Sequence, residues 1–139
     1  MDATASRATS AAPFVFHRYG PVVLVTGKSS GFSRLIVAML NVGGLASYEA
    51  DDGLQALNRL RTGGCAALLT TLDVPELSGV ELIRYAKKHN PDMPVFVIRE
   101  REPVGDEVEV LGCCDGVFGP PLKGSTVVTA IRAVLKVRT

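Results

Sequence analysis

The side chains of this sequence that could carry out chemistry are few, and their spacing favours structural roles. Asp51 and Asp52 are adjacent carboxylates, but they directly precede a segment with helical spacing, where acidic residues stabilise a helix start. Cys65, Cys113 and Cys114 form an odd set without CxxC spacing, which supports neither a disulfide framework nor a zinc site. We predict small buried thiols, with a redox role for the adjacent pair left open. The sequence therefore predicts no catalytic residue, no metal, no cofactor and no enzymatic activity.

Two kinds of segment alternate along the chain, and any site must be positioned by the elements that they form. Short apolar or β-branched runs predict strands, and the segments between them have helical spacing. The predicted strands cover residues 22–25, 46–50, 66–70, 95–98 and 116–118. The first helical segment has an apolar stripe formed by Leu35, Met39 and Val42. A second apolar pair, Ile36 and Leu40, lies beside that stripe.

Repeated strand-then-helix units predict an α/β domain whose parallel sheet is covered on both faces. This follows because each right-handed crossover places its helix against the sheet. In such folds a binding site lies where the carboxyl ends of the strands meet. The loops expected to matter therefore begin at Thr26, Thr71, Arg99 and Gly119.

Length and composition limit the classes of function. At 139 residues the chain has room for one domain, predicted over residues 21–139 after an N-terminal tail or arm over residues 1–20. The net charge is +1 and the Lys and Arg residues are scattered along the sequence, which argues against nucleic acid and anionic membranes as partners. No apolar run approaches the roughly 18 residues of a membrane span, and the N-terminus lacks the apolar core of a secretory signal. We therefore expect a cytoplasmic protein.

Four segments, taken in order, resemble response-regulator receiver domains, the CheY-like phosphoacceptor family. They are Asp52-Gly53 before the second helix, the loop from Pro75 to Gly79 before the third, MPVFVI at the fourth strand and GCCDGVFGPP at the fifth. The resemblance covers residues 21–139. It implies a flavodoxin-like, doubly wound sheet of parallel strands in the order 2-1-3-4-5, and a cis Gly119–Pro120 peptide bond.

The positions that carry the family's chemistry are altered in this sequence. Where the family has an acidic pair that binds magnesium and an aspartate that accepts the phosphoryl group, this chain has Thr26, Gly27 and Thr71. Mg²⁺ is usually bound through one or two carboxylates, and the backbone carbonyl expected from Asp73 cannot hold the ion alone. The side chain of Asp73 is expected to point away from the acceptor position. We therefore predict a degenerate receiver that cannot be phosphorylated.

Three further positions of the family pattern are also altered. The hydroxyl residue after the fourth strand is Arg99, the phosphate-pairing lysine after the fifth is Gly119, and the switch aromatic is Gly116. Arg99 has two interpretations. In the first, its guanidinium lies across the vacated pocket, where it could recruit an anion. In the second, it points to solvent or pairs with Glu100 or Glu102.

A second resemblance leaves an alternative function open. The stretch VVLVTGKSSGFSRLIVAML is similar to the opening of short-chain dehydrogenases, whose glycine-rich nucleotide loop follows the first strand. Thr26, Gly27 and Gly31 match that loop, but Ser33 stands where its last glycine belongs. The chain is too short for that enzyme fold and has no Tyr-x-x-x-Lys pair. The alternative is therefore a divergent nucleotide- or anion-binding domain.

The expected function is that of a protein-interaction module in two-component-type signalling. The expected partners are a signalling kinase, a phosphotransfer protein or a regulator, and the sequence also leaves a homodimer open. The resemblance places one interaction face on the fourth helix, fifth strand and fifth helix, with the candidate residues Arg101, Glu102, Glu109, Lys123 and Arg132.

A second candidate surface is the segment PFVFHRYG, which precedes the first strand and contains Phe14, Phe16 and Tyr19. Exposed aromatic clusters usually mark interfaces. We expect this segment to be ordered and to bury its aromatic rings against its own domain or a second copy.

Overall fold

The structure, a computed structural model, describes the backbone of residues 21–138 and the side chains of residues 21–135. The predicted N-terminal arm therefore lies outside the described residues. The strands are β1 (Val22–Thr26), β2 (Ala46–Glu49), β3 (Ala67–Thr71), β4 (Val95–Ile98) and β5 (Gly116–Phe118). The helices are α1 (Ser30–Val42), α2 (Gly53–Thr62), α3 (Gly79–His89), α4 (Asp106–Leu111) and α5 (Gly124–Arg138).

The strands form one parallel sheet in the order β2-β1-β3-β4-β5, which confirms the predicted fold class and strand order. Side chains alternate along each strand, so both faces of the sheet are apolar and both are covered by helices. Val23 and Val25 belong to the core beneath α1 and α5, whereas Leu24 belongs to the core beneath α2, α3 and α4. The central strands β1, β3 and β4 are buried along their whole length, as expected for parallel strands covered on both sides. Among residues 21–138, every helix is too short or too polar to cross a bilayer.

The apolar stripe predicted for α1 is not the side that faces the core. Ile36 and Leu40 are buried against the sheet, whereas Leu35 is 63% exposed and Val42 is 90% exposed. The face of α1 that packs on the sheet is thus shifted by about one residue from the apolar stripe, because Ile36 and Leu40 make the contact with the sheet. An apolar surface is left uncovered next to α5.

Side-chain caps begin the helices that follow β1, β2 and β3. Ser29, Asp52 and Ser78 each accept a hydrogen bond from the amide three residues later, which satisfies a helix-terminal N–H group. The capping role predicted for the acidic pair is therefore confirmed for Asp52. Asp51 contributes its backbone amide, which donates to the side chain of Gln55 at 2.7 Å.

Two glycines let the loop after β3 pack directly under the carboxyl edge of the sheet. A Cβ at Gly53 would overlap the carbonyl oxygen of Leu77, and a Cβ at Gly79 would overlap the carbonyl oxygen of Thr71. The amide of Gly53 also donates to the carbonyl of Pro75 at 2.9 Å. The loop is consequently held between the end of β3 and the start of α2.

The cis peptide bond lies one residue later than expected. Pro120–Pro121 is cis, so the prediction of a cis Gly119–Pro120 bond is wrong. Both bonds precede a proline, where the trans form is favoured by only about 0.5–1 kcal/mol. The sequence alone therefore does not distinguish between them.

Candidate functional site

The altered pocket positions lie together at the carboxyl edge of the sheet. Thr26 and Thr71 end the neighbouring strands β1 and β3, and Thr26 lies opposite Thr70 in the ladder. Arg99 directly follows β4, and Gly119 directly follows β5. The structure thus brings these predicted positions to one edge.

The hydroxyl of Thr71, the residue that the resemblance places at the phosphoacceptor position, is already hydrogen-bonded. The residue is 2% exposed, and its Oγ1 donates to the backbone oxygen of Asp73 at 2.9 Å. The carbonyl that the resemblance assigns to magnesium therefore has a hydroxyl as its partner. The carboxylate of Asp73 accepts two hydrogen bonds from Arg101, at 2.9 and 3.2 Å. This side chain is thus directed to Arg101.

The end of β1 provides no carboxylate and little room for one. A Cβ at Gly27 would lie 3.0 Å from the ring of Phe32 and 3.2 Å from the hydroxyl oxygen of Ser33. Thr26 is 2% exposed, and its hydroxyl has no hydrogen-bond partner among the described residues. Within the described part of the chain, no group of three or more His, Cys, Asp or Glu side chains is placed to hold a metal ion.

Three cations border this edge, and each is paired with a carboxylate. The ammonium nitrogen of Lys28 lies 2.7 Å from Glu100, and the guanidinium of Arg99 lies 3.3 Å from Glu102. Arg101 contacts two carboxylates, at 2.9 and 2.8 Å. Because each positive charge is neutralised locally, none of these groups presents its full charge to an incoming anion.

Arg99 also fills the space beside Gly119. A Cβ at Gly119 would lie 2.9 Å from Nη2 and 3.0 Å from Cζ of Arg99, so the guanidinium packs directly on this backbone. Its side chain is 29% exposed and pairs with Glu102. Arg99 thus combines the two interpretations, because the guanidinium forms the ion pair while it lies beside Gly119, one of the altered positions. A lysine at position 119 would therefore have to displace Arg99.

Arg101 joins the loop after β3 to the first turn of α4. Besides Asp73, its two terminal nitrogens donate to the two carboxylate oxygens of Glu107, each at 2.8 Å. Glu107 also accepts the amide of Val104 at 2.9 Å. The hydrogen bonds from Arg101, followed by the one from Val104, lower the pKa of Glu107 to about 2. The hydrogen bonds of Arg101 to Glu107, which have the larger effect, and to Asp73 raise the pKa of Arg101 above its usual value.

The lowered pKa of Glu107 predicts how this pairing responds to acid. Because the folded-state pKa of about 2 lies below the usual 4.5, the ion pair contributes stability above that usual value and loses it as the pH falls towards 2. In an NMR titration of the side-chain carboxyl carbon, we expect a midpoint near pH 2. Arg101→Gln should move that midpoint up towards 4.5. Arg61→Gln, at an exposed position of α2, is the control and should leave it unchanged. An unshifted midpoint in the unmodified protein would contradict the pairing.

Solved structures that share this architecture are receiver domains. The receiver domain of the Francisella response regulator 1452 superposes with a TM-score of 0.76 and 21% sequence identity, covering 86% of this chain and 99% of that one. A response regulator receiver domain protein from Clostridium thermocellum superposes with a TM-score of 0.77 and 18% identity, covering 85% and 96%. This chain has the receiver fold of response regulators.

Sequence relatives of this chain include two response regulators and a transcriptional regulatory protein. CpdR, a response regulator receiver protein of Brucella abortus, is 30% identical over 76 residues, which are 55% of this chain and 63% of that protein. The response regulator MprA of Mycobacterium avium is 24% identical over 115 residues, covering 82% of this chain and 50% of MprA. The transcriptional regulatory protein ZraR of Klebsiella oxytoca is 28% identical over 100 residues, covering 70% of this chain and 23% of ZraR. The chain therefore spans less than two thirds of the length of each of these relatives. No protein-family model matches the sequence.

In this receiver fold, the residues predicted to form one interaction face have different surroundings. Arg101 belongs to the ion pairs of the carboxyl edge, while Glu109 of α4 and Lys123 before α5 are exposed. Arg132 of α5 instead donates to the carbonyl oxygen of Gly43, at the end of α1. It therefore joins two helices, which is a structural role. The aromatic candidates lie outside the described residues, namely Phe14, Phe16 and Tyr19.

The loop that resembles a nucleotide-binding motif serves to start α1. Ser29 caps the helix, Gly31 lies in its first turn, and Ser33 is buried. A Cβ at Gly31 would meet nothing within 4 Å, so no close approach of neighbouring atoms requires a glycine there. The strand order also differs from the 3-2-1-4-5-6 order of dinucleotide-binding sheets.

Cys65 and Cys114 have the environment of weakly reactive thiols. Burial raises the pKa of Cys114 to about 11 and also raises the pKa of Cys65. Both are therefore protonated at neutral pH, and the thiolate is the reactive form. The prediction of buried thiols holds only in part, because Cys65 and Cys114 are half-buried and Cys113, in the turn that follows α4, is exposed.

Proposed function

We propose that this domain works as a protein-interaction module in two-component-type signalling, without being phosphorylated and without enzymatic activity of its own. The observation that carries the proposal is the carboxyl edge of the sheet. Its strand ends present Thr26 and Thr71 in place of carboxylates, and its bordering cations are already paired.

The chemistry of phosphoryl transfer explains why this arrangement argues against phosphorylation. Transfer depends on a positioned nucleophile, on metal ions and on cationic groups that neutralise the developing charge. The nucleophile position holds Thr71, whose hydroxyl is buried and hydrogen-bonded. The lysine position is Gly119, and the space beside it is filled by Arg99. The nucleophile and the lysine of the family are therefore both lacking, because the residues at these two positions have other contacts.

Exposed apolar side chains near α4 and on β5 support a protein partner. Val104 and Val108 are 66% and 58% exposed, and Val117 of β5 is 40% exposed. Apolar residues that stand among charged ones at a surface are typical of interaction sites. Glu109 lies exposed on the same helix as Val108. We therefore propose a cytoplasmic signalling kinase, phosphotransfer protein or regulator as the partner, bound through this side of the domain.

Mg²⁺ together with beryllofluoride, which mimics a phosphoryl group, should produce no saturable change in the amide NMR spectrum of the full chain. The reason is that no carboxylate stands at positions 26, 27 or 71 to bind the ion. The matched measurement is beryllofluoride without Mg²⁺ at the same ionic strength, which should give the same small, unsaturated shifts. Saturable shifts centred on Thr71 would overturn the proposal.

A thermal-shift screen separates this function from the alternative of nucleotide or anion binding. A ligand raises the melting temperature of the state that binds it. Nucleotides and inorganic phosphate should leave the melting temperature unchanged, because Lys28 and Arg99 are paired with carboxylates. A saturable rise with a nucleotide would favour the alternative.

A further inference from the structure

An apolar groove lies between α1 and α5 and shares no residue with the carboxyl-edge site. It has a volume of about 520 Å³. Its walls include Leu35, Met39 and Val42 of α1 and Val128 of α5. Leu35 and Val42 are 63% and 90% exposed, which are among the largest exposures of apolar residues in the described part of the chain. A concave apolar surface of this kind is typical of a docking site.

We propose that this groove binds residues 14–19 of the same chain. Those residues, FVFHRY, contain two of the five phenylalanines and one of the three tyrosines of the protein. Aromatic rings spaced two residues apart can enter one groove from an extended segment, since alternate side chains of such a segment share a face. In this arrangement the segment covers the solvent-facing apolar stripe of α1.

The segment is long enough to reach the groove from its point of attachment. Val22 lies beside Ala46 in the parallel sheet, at the usual strand separation of about 5 Å. Ala46 is three residues beyond Gly43, which lines the groove, and three residues span at most about 11 Å. Pro21 is therefore within about 20 Å of Gly43, at the near end of the groove, whereas the seven residues from Phe14 to Pro21 can span about 25 Å. The Phe14 end of the segment can thus reach the groove.

Attachment to the same chain favours this occupant over a second copy. A short flexible linker holds a segment near its site at an effective concentration in the millimolar range. A second copy competes only at its actual concentration. A modest apolar contact is therefore sufficient for the attached segment to fill the groove at ordinary protein concentrations.

Tryptophan fluorescence of the full chain tests the proposal directly, because the protein contains no tryptophan. Phe14→Trp places a single reporter at the end of the segment that can reach the groove. We expect blue-shifted emission that acrylamide quenches poorly, and we expect both properties to be independent of protein concentration. Combining this change with Leu35→Glu and Val42→Glu should shift the emission to that of a solvent-exposed indole. Both groove positions are exposed, so the fold should persist, which far-ultraviolet circular dichroism checks.

The matched control places the same two charges elsewhere. Val104→Glu and Val108→Glu alter valines that are 66% and 58% exposed and that do not line the groove, so the reporter should stay blue-shifted. Three results would overturn the proposal. They are solvent-exposed emission in the starting protein, insensitivity to the groove charges, or a blue shift that disappears on dilution. The last result would assign the groove to a second copy.

Discussion

Replacing Thr71 by aspartate, the residue that the family resemblance expects there, should destabilise the protein instead of restoring a phosphorylation site. The position is 2% exposed, and its hydroxyl donates to the carbonyl of Asp73. An ionised carboxylate cannot donate, so two acceptors would face each other. The nearby cations Lys28, Arg99 and Arg101 are paired with other carboxylates. Because an uncompensated buried charge costs about 3–5 kcal/mol, we expect the free energy of unfolding to fall by about 3 kcal/mol at neutral pH.

The pH dependence distinguishes this effect from a loss of packing. Burial raises the pKa of the introduced carboxyl above its unfolded value of about 3.9. The destabilisation should therefore be small below about pH 4 and grow as the pH rises, until the folded-state pKa is passed. Asparagine is similar in size to aspartate but uncharged. Thr71→Asn should therefore lower the free energy of unfolding by less, and this loss should not depend on pH. Urea unfolding of both variants, with and without Mg²⁺, measures the difference. Equal stability of the two variants at neutral pH, or stabilisation of Thr71→Asp by Mg²⁺, would show that the pocket still accommodates a charged site.

Gly79→Ala should lower the free energy of unfolding by about 1–3 kcal/mol, the usual cost of overpacking a tight contact. The added Cβ would overlap the carbonyl oxygen of Thr71 and lie 2.9 Å from the Cα of Leu72. Both are backbone atoms at the end of β3, so neither can rotate away as a flexible side chain would. The loop after β3 would have to move, together with the hydrogen bond between the amide of Gly79 and the carbonyl of Leu72. Urea unfolding followed by circular dichroism measures the change.

Gly31→Ala is the control for the Gly79 substitution. A Cβ at Gly31 meets nothing within 4 Å, and the residue lies within α1. Alanine is favoured over glycine in helices by about 0.5–1 kcal/mol, so this variant should be slightly more stable than the starting protein. Similar losses at both positions would mean that the close approach at Gly79 is not the cause.

The architecture was predictable from the sequence because its strongest signals are local. The runs at 22–25 and 95–98 are apolar on both faces, and this pattern is typical of central parallel strands. The orientation of α1 was not predictable in the same way. Leu35 and Ile36 start two neighbouring stripes with equally good helical spacing, and only packing against the sheet selects the second.

The site was predictable as a set of positions but not as a set of contacts. Each altered residue lies at or next to the end of a strand, and the resemblance fixes which residue that is. The pair of Arg99 with Glu102 is local and was among the alternatives that the sequence offered. The pair of Asp73 with Arg101 joins residues far apart along the chain, which no spacing rule connects. Glu107 was missed because an acidic residue in the first turn of α4 has an ordinary helix-dipole explanation. Its contact with Arg101 becomes evident only in three dimensions.

The guanidinium that Asp73 and Glu107 share makes the loop after β3 and helix α4 thermodynamically linked. Whatever draws Glu107 away from Arg101 leaves that cation to Asp73 alone and changes the free energy of the loop. By reciprocity, a change that moves the loop away from Arg101 also changes the free energy of the contact between Arg101 and Glu107. One arginine side chain thus couples the carboxyl edge of the sheet to the first turn of α4.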